Sequence, residues 1–180
     1  QWVLPLPRIR RHTAVPLGRR SFCVPTERWN AVHDAQDDRP RRVMCSMVYP
    51  STAAAVRHAK RFELFDEFDR VIRALCNILP AVPNALRGIM PRLLAHVNGP
   101  SSAFEDVAGD GKSHPLVVLL HGLTGPRWQY VSLAETIAES GFVVLMPEHP
   151  FDTSCSVYPG DAKPVLYSLG RPPLDNPSVS

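Results

Sequence analysis

The sequence predicts an α/β fold whose sheet begins with antiparallel strands and continues with a parallel strand–helix–strand unit. Two observations support this class. Two strand candidates precede any helix, and residues 116–147 contain an apolar strand, an amphipathic helix and a second apolar strand. Short links between such elements produce a crossover that makes the two strands parallel. With 180 residues, 44% of them hydrophobic, the chain has enough apolar material for one core.

Positive charge is concentrated in the first 42 residues. They contain nine Arg and four acidic residues, a net charge of +5, whereas the whole chain carries +3. A basic segment can contact nucleic acid or anionic lipid, but without interleaved aromatic residues it has little specificity. We therefore expect no nucleic-acid partner. We interpret residues 1–20 as a solvated, proline-rich lead, residues 21–158 as the folded domain and residues 159–180 as an irregular, proline-rich tail.

Two strands and a long helix are predicted first. Residues 21–25 suit a short edge strand, and residues 41–50 alternate along a second strand. Residues 53–79 predict a helix, because large apolar side chains recur at steps of three and four. Its apolar face comprises Phe65, Phe68, Ile72, Leu75 and Leu79. The acidic side chains on this helix are expected to be solvated: Glu63, Asp66, Glu67 and Asp69.

A weaker helical pattern and a polar stretch follow. Residues 83–97 predict a second helix that Pro91 must kink or split, and residues 98–114 predict a loop. The amphipathic residues 62–97 could contact a lipid interface. Packing against the core is the alternative, because the apolar stripe is no wider than a globular helix requires.

The strand–helix–strand unit is the most regular part of the sequence. Residues 116–120 are apolar throughout, as expected for a strand buried on both faces. The helix that follows ends near Gly141, a residue that suits a helix carboxyl end, and residues 142–147 form the next buried strand. The predicted buried stripe of the helix is Leu133, Ala134, Ile137 and Ala138.

The turn after the first of these strands is the candidate site. It reads His121-Gly122-Leu123-Thr124-Gly125 and lies where α/β sheets bind ligands, at the carboxyl end of a parallel strand. Gly122 permits a sharp turn and a close approach, and N–H groups before the helix are unpaired. Such groups can stabilise an oxyanion. The turn has neither a P-loop nor a GxGxxG pattern, and a turn without chemistry is the alternative.

These segments resemble, in the same order, the platelet-activating factor acetylhydrolase family of the α/β-hydrolase superfamily. That family has a strand ending in SHGLG, a helix closing on SHGF and a strand running into an EHRD-like sequence. Here the corresponding segments are LHGLTG at 120–125, ESGF at 139–142 and EHPFD at 148–152, and the earlier YPST at 49–52 is similar to the family's YYPS. The resemblance spans residues 20–156.

The resemblance implies a serine esterase that removes a short acyl group, such as the sn-2 acetyl, from a phospholipid. It implies that Leu123 donates a backbone N–H to the oxyanion and that Gly122 and His121 shape the loop. The expected substrate is a phospholipid or another small ester. The implied mechanism uses no metal and no cofactor.

The serine of such an enzyme is not recognisable in the sequence. A GxSxG elbow is absent around Ser154, Ser156 and Ser168. His149 precedes any possible elbow and is interpreted as structural, and His58 and His114 as surface residues. No nucleophile, base or acid of a triad is therefore assigned. We expect the sequence to represent the first part of a hydrolase domain, with a broader dienelactone-hydrolase- or chlorophyllase-like esterase or a catalytically dead remnant as alternatives.

The cysteines suggest a compartment. Cys23, Cys45, Cys76 and Cys155 are widely spaced and form no CxxC pair. Free thiols in a reducing compartment are the simplest explanation, so a cytoplasmic location is expected; a signal peptide upstream would indicate secretion instead. No apolar run reaches 18 residues, so a transmembrane span is not expected.

Overall fold

The computed structural model describes residues 15–29, 40–65, 67–78, 83–95, 98–123, 125–161 and 164–166. Its strands are β1 (Leu17–Trp29), β2 (Pro40–Pro50), β3 (Arg61–Glu63), β4 (Pro100–Glu105), β5 (Leu116–Val118), β6 (Val143–Pro147), β7 (Cys155–Ser156) and β8 (Val165–Leu166). Its α-helices are α1 (Ala53–Val56), α2 (Phe68–Ile78), α3 (Asn84–Arg87), α4 (Met90–Leu94) and α5 (Val131–Glu139). A 3₁₀ helix, Arg127–Tyr130, leads into α5.

The main sheet has the strand order β3-β4-β1-β2-β6-β5 in the described part of the chain. β2 is antiparallel to both β1 and β6, whereas β5 and β6 are parallel and are connected through α5. The predicted α/β class, with an antiparallel start followed by a parallel strand–helix–strand unit, is confirmed. β7 and β8 pair separately, and the tail from residue 167 lies outside the described residues.

β1 differs from the short edge strand predicted at residues 21–25. It is 13 residues long, lies between β4 and β2, and starts inside the segment interpreted as a solvated lead. Arg19 is fully buried: its guanidinium donates to the carbonyls of Glu63 (3.0 Å) and Leu64 (3.3 Å) and stacks 4.2 Å from the Phe62 ring centroid. These partners compensate for the lost hydration of the charge. Residues 1–14 lie outside the described part.

The single helix predicted over residues 53–79 is wrong. The segment forms α1, β3 and α2, and Glu67 adopts a positive φ of 53° just before α2. β3 pairs with β4, which occupies part of the predicted loop 98–114. The backbone N–H and C=O groups of β3 form hydrogen bonds with β4, which is distant in sequence, instead of the helical hydrogen bonds that the local apolar pattern predicts. The split at Pro91 is confirmed, because Pro91 lies at the start of α4.

The main core lies between the sheet and α5. Its buried members are Leu17, Val48, Ala103, Val131, Ala134, Ala138, Val144 and Met146. Ala134 and Ala138 of the predicted stripe are buried, Ile137 is partly buried, and Leu133 is exposed instead. Gly141 has the positive φ expected after a helix, +92°.

The prediction that residues 116–120 are buried on both faces is wrong. Val117 and Leu119 pack against the main core, but Leu116, Val118 and Leu120 are 60%, 53% and 56% exposed. The cause is topological: β5 is the edge strand of the described sheet, and α5 covers only one of its faces. No α-helix in the described ranges is long and apolar enough to cross a membrane.

Candidate functional site

The candidate site lies where β5 and β6 end side by side. Because the two strands are parallel, the loop after β5 and the residues after β6 leave the same edge of the sheet. The last ladder bond next to the loop joins the Leu119 N–H to the Leu145 carbonyl (2.8 Å). His121 follows β5, His149 follows β6, and their ring centroids are 4.8 Å apart.

His121 is buried and makes two hydrogen bonds at the start of the loop. The backbone N–H of His149 donates to His121 Nε2 (3.0 Å), and His121 Nδ1 lies 2.8 Å from the Gly122 carbonyl oxygen. A nitrogen that accepts an N–H carries no proton, so Nδ1 carries it and donates to Gly122. The ring is therefore neutral, in one tautomer, and joins the ends of β5 and β6.

The segment after His121 is open to the surface. Leu123 is 73% exposed, and within the described ranges its backbone N–H has no hydrogen-bond acceptor. A Cβ on Gly122 would meet nothing within 4 Å, so the space above the loop backbone is free. The Gly125 N–H closes the turn on the Gly122 carbonyl (3.0 Å). The loop thus contains an exposed residue whose backbone N–H is unpaired within the described part of the chain.

A buried ion pair lies at the other end of the loop. The guanidinium of Arg127 donates to Glu148 Oε2 (2.8 Å), and its Nε donates to Ser46 Oγ (3.1 Å). The Arg127 backbone N–H points at Glu148 Oε1 at 3.4 Å, which is a long contact. Arg127 and Glu148 are 4% and 1% exposed. The pair connects the 3₁₀ helix after the loop to the end of β6 and to β2.

Burial shifts the pKa values of two titratable groups near the loop, His149 and Cys155. The pKa of His149 is lowered mainly by burial, which favours the neutral ring. Burial raises the pKa of the Cys155 thiol to about 12, so this cysteine is protonated at neutral pH and is a poor nucleophile. All four cysteines are free thiols.

The predicted loop residues His121, Gly122 and Leu123 are close together, and His149 has a structural contact with the first of them. Ser156 is buried and Ser154 partly buried, and Ser168 lies outside the described residues. His58 is exposed, but His114 is partly buried and hydrogen-bonded, so its interpretation as a plain surface residue is wrong. The described part of the chain contains no group of three or more His, Cys, Asp or Glu residues that could hold a metal ion.

Arg127, Glu148 and Ser46 were not predicted from the sequence. Residues 127 and 148 are 21 positions apart, and their pairing depends on α5 returning the chain to β6. The available signal is a charged residue that directly follows the apolar strand β6. Such a residue is buried only when it is paired, which makes a partner expected without identifying it.

Comparison with known proteins decides the family. A family model described as platelet-activating factor acetylhydrolase, isoform II, matches residues 30–164, which is most of the chain. The chain belongs to the platelet-activating factor acetylhydrolase family. No curated protein matches the sequence. The matched range includes the candidate loop, the buried ion pair and β6.

The fold of this acetylhydrolase-family chain is similar to that of a solved esterase. The ferulic acid esterase from Streptomyces cinnamoneus superposes with a TM-score of 0.63 at 20% sequence identity. The match covers 88% of this chain and 40% of the esterase chain. The similarity shows an α/β-hydrolase type of fold, and the chain spans less than half of the esterase's length.

Proposed function

We propose that this chain carries the oxyanion-binding loop of a serine-type carboxylic ester hydrolase. The observation that carries the proposal is the exposed Leu123, which follows a parallel strand in a chain of the acetylhydrolase family and whose backbone N–H has no acceptor among the described residues. One N–H aimed at the developing oxyanion contributes about 10²–10³ in turnover in acyl-transfer enzymes. In this proposal His121 and Gly122 shape the loop, and the free space around Gly122 leaves room for a substrate.

The proposed reaction is acyl transfer. A serine Oγ attacks the ester carbonyl carbon, the alcohol leaves, and water then releases the acyl group from the serine. The Leu123 N–H stabilises the oxyanion in both steps, and the second donor is the N–H after the nucleophile. The sequence contains no GxSxG elbow, so none of these 180 residues is assigned as the serine, the acid or the base.

The proposed substrate is a phospholipid with an acetyl or other short acyl group at the sn-2 position. The description of the matched family supports it, since that name specifies the acetyl ester of platelet-activating factor. Free cysteines are in keeping with a reducing, cytoplasmic compartment, which is part of the proposal.

Peripheral contact with a lipid surface is also proposed, and α3 and α4 are the elements suited to it. Leu86 of α3, Leu93 of α4 and Ile89 between the two helices are large apolar side chains that are exposed. Arg92 is exposed beside them, and Arg87 is partly exposed. An exposed apolar face with adjacent basic side chains favours binding at an anionic bilayer surface.

Ester hydrolysis by the protein isolated from its native cells tests the proposal. We expect cleavage of 1-alkyl-2-acetylglycerophosphocholine and covalent labelling by a fluorophosphonate probe. Leu123→Pro removes the N–H and is expected to lower kcat about 10²–10³-fold, whereas Leu123→Ala keeps the N–H and should lose far less.

The other outcomes separate the alternatives. Cleavage of p-nitrophenyl butyrate without cleavage of the acetyl phospholipid would indicate a broader esterase. An absence of labelling and of hydrolysis would refute the enzyme assignment and favour a non-catalytic remnant. Equal activity of the Leu123→Pro and Leu123→Ala proteins would refute the oxyanion role of this loop.

A further inference from the structure

We infer that Glu148 and His149 act together as positioning residues that clamp both ends of the loop at 121–127. The inference rests on the proposed function, because the loop they hold is the one that presents the Leu123 N–H. The two residues are consecutive and immediately follow β6. One contacts the residue that opens the loop, and the other contacts the residue that closes it.

The first contact is made by the backbone of His149. Its N–H donates to Nε2 of the buried His121 (3.0 Å), so it needs an unprotonated nitrogen at that position. The Nδ1–H of the same ring donates to the Gly122 carbonyl (2.8 Å) and thereby orients the next peptide. Through these two hydrogen bonds the His121 side chain fixes the first peptide of the loop relative to the end of β6.

The second contact is made by the side chain of Glu148. Its carboxylate accepts from the Arg127 guanidinium (2.8 Å), and the backbone N–H of the same arginine points at the other oxygen. A buried ion pair costs desolvation, and removing one partner leaves an uncompensated charge. Because both charges are buried, the two side chains must stay in contact. This contact fixes the position of Arg127, where the loop enters the 3₁₀ helix.

The clamp is itself anchored on the central strands. The Glu148 N–H donates to the Met44 carbonyl (2.8 Å), Arg127 Nε donates to Ser46 Oγ (3.1 Å), and Ser46 Oγ lies 2.9 Å from Ser21 Oγ. These contacts lead from the loop through β2 to β1 in the middle of the sheet. The end of the loop is therefore connected by hydrogen bonds to the two central strands β1 and β2.

The clamp matters for the Leu123 N–H, which has no hydrogen bond to any described residue. The exposed Leu123 is not held by contacts of its backbone N–H, so its position depends on the two ends of the loop. Oxyanion stabilisation requires donors fixed before the reaction, and a loosely supported donor loses much of its effect. The clamp supplies this preorganisation through contacts at the two ends of the loop.

Glu148→Gln is the test variant, and Glu135→Gln is its matched control. Glu135 is also a buried carboxylate, which accepts from the Ser101 hydroxyl and from the Ser102 N–H (3.0 Å), but it lies on α5 away from the loop. Amide exchange of Gly125 and His149 is measured by NMR on the full chain, with the Val48 amide of β2 as a reference for the fold. His121→Phe, which removes only the first contact, is the second variant.

In Glu148→Gln we expect exchange at Gly125 and His149 to accelerate tenfold or more, with Val48 unchanged. His121→Phe should accelerate His149 alone to the same degree, and Glu135→Gln should accelerate neither. A wild-type exchange pattern in both clamp variants would overturn the inference. An equal acceleration in Glu135→Gln would also overturn it, because the effect would then be general destabilisation.

Kinetics of the native enzyme separate the clamp from the proposed function. If the loop is the oxyanion site, Glu148→Gln lowers kcat about tenfold or more with little change in KM, because only transition-state binding is lost. Accelerated exchange with an unchanged kcat for ester hydrolysis would support the clamp and refute the oxyanion role. An unchanged exchange pattern with a lowered kcat would refute the clamp and leave the oxyanion role standing.

Discussion

His114 is the residue whose environment most clearly defines its charge. It lies two residues before β5, and its two ring nitrogens lie 2.9 Å from acceptor oxygens, Nδ1 from the Gly141 carbonyl and Nε2 from Asp110. Two acceptors require two ring N–H groups, which only the protonated imidazole provides. The hydrogen bond with Asp110, followed by the one with Gly141, raises the pKa of His114. The same bond with His114 is the main reason that the pKa of Asp110 is lowered.

The directions of these shifts define the pH range in which the pair stabilises the fold. A raised pKa of His114 adds stability that is complete below the unfolded value of about 6.5 and disappears as pH rises through the raised value. A lowered pKa of Asp110 adds stability that is complete above about 3.9 and disappears as pH falls through the lowered value. The pair therefore stabilises most between about pH 4 and about pH 6.5.

We predict that His114→Gln lowers the free energy of unfolding more at pH 5.5 than at pH 8.5. Urea denaturation at both pH values measures the difference, and the exposed His58, changed to Gln, controls for the loss of a histidine. In an Asp110→Asn background the extra loss at pH 5.5 should shrink, because the main cause of the raised pKa is gone. Equal losses at the two pH values would contradict the prediction.

At the scale of elements, α3 and α4 expose more apolar surface than the fold requires. Leu93 on α4 is 56% exposed and Leu86 and Ile89 are nearly as exposed, although α2 packs against both short helices. Full burial of one leucine side chain is worth about 1.5–3 kcal/mol, so insertion into a bilayer interface would recover a measurable part of this value. Such insertion requires a lipid surface to which the helices have access.

We predict that Leu93→Ser weakens binding to anionic phospholipid vesicles about tenfold, because it removes an inserted apolar side chain. Leu133→Ser is the matched control, since Leu133 is a comparably exposed leucine, 47%, on α5. Vesicle co-sedimentation over a lipid titration gives both affinities. The same loss for both variants, or for neither, would mean that α3 and α4 do not form the lipid contact.

The predictability of each element depends on how local its stabilisation is. The β5–α5–β6 unit follows from periodicity because its apolar positions face a core formed largely by its own neighbours. β4 does not, because its small and polar residues, including the buried Ser101, become strand only through pairing with β1 and β3. Because β4 is not recognisable in the sequence, its partner β3 is not predicted either, and residues 53–79 are predicted as one helix.

The same distinction applies to the site. The loop at residues 121–123 could be predicted because an apolar strand that ends in His-Gly is visible in a few consecutive residues. The ion pair of Arg127 and Glu148 could not, because its members meet only after the crossover is formed. The exposure of Leu116 could not be predicted either, because the apolar residues of a strand do not show whether it lies at the edge or in the middle of the sheet.

At the scale of the whole molecule, β5 forms one of the two edges of the described main sheet. One face of this strand packs through Val117 and Leu119 on the main core, and the opposite face exposes Leu116, Val118 and Leu120. The strand also has a single hydrogen-bonded neighbour in the described sheet, β6. An apolar edge strand pairs readily with other chains unless something covers it. Self-association of the isolated chain through this edge is therefore expected.

We predict that Val118→Lys reduces this self-association without lowering the melting temperature, because a charge on the exposed face opposes edge-to-edge pairing and disturbs no core contact. Val117→Lys is the matched control: it is the neighbouring residue, but its side chain packs against the main core, so it should lower the melting temperature strongly. Sedimentation velocity over a concentration series measures association, and thermal unfolding measures stability. If Val118→Lys destabilises as much as Val117→Lys, the outer face of β5 is covered in solution. If both proteins associate as wild type does, the contact lies elsewhere on the molecule.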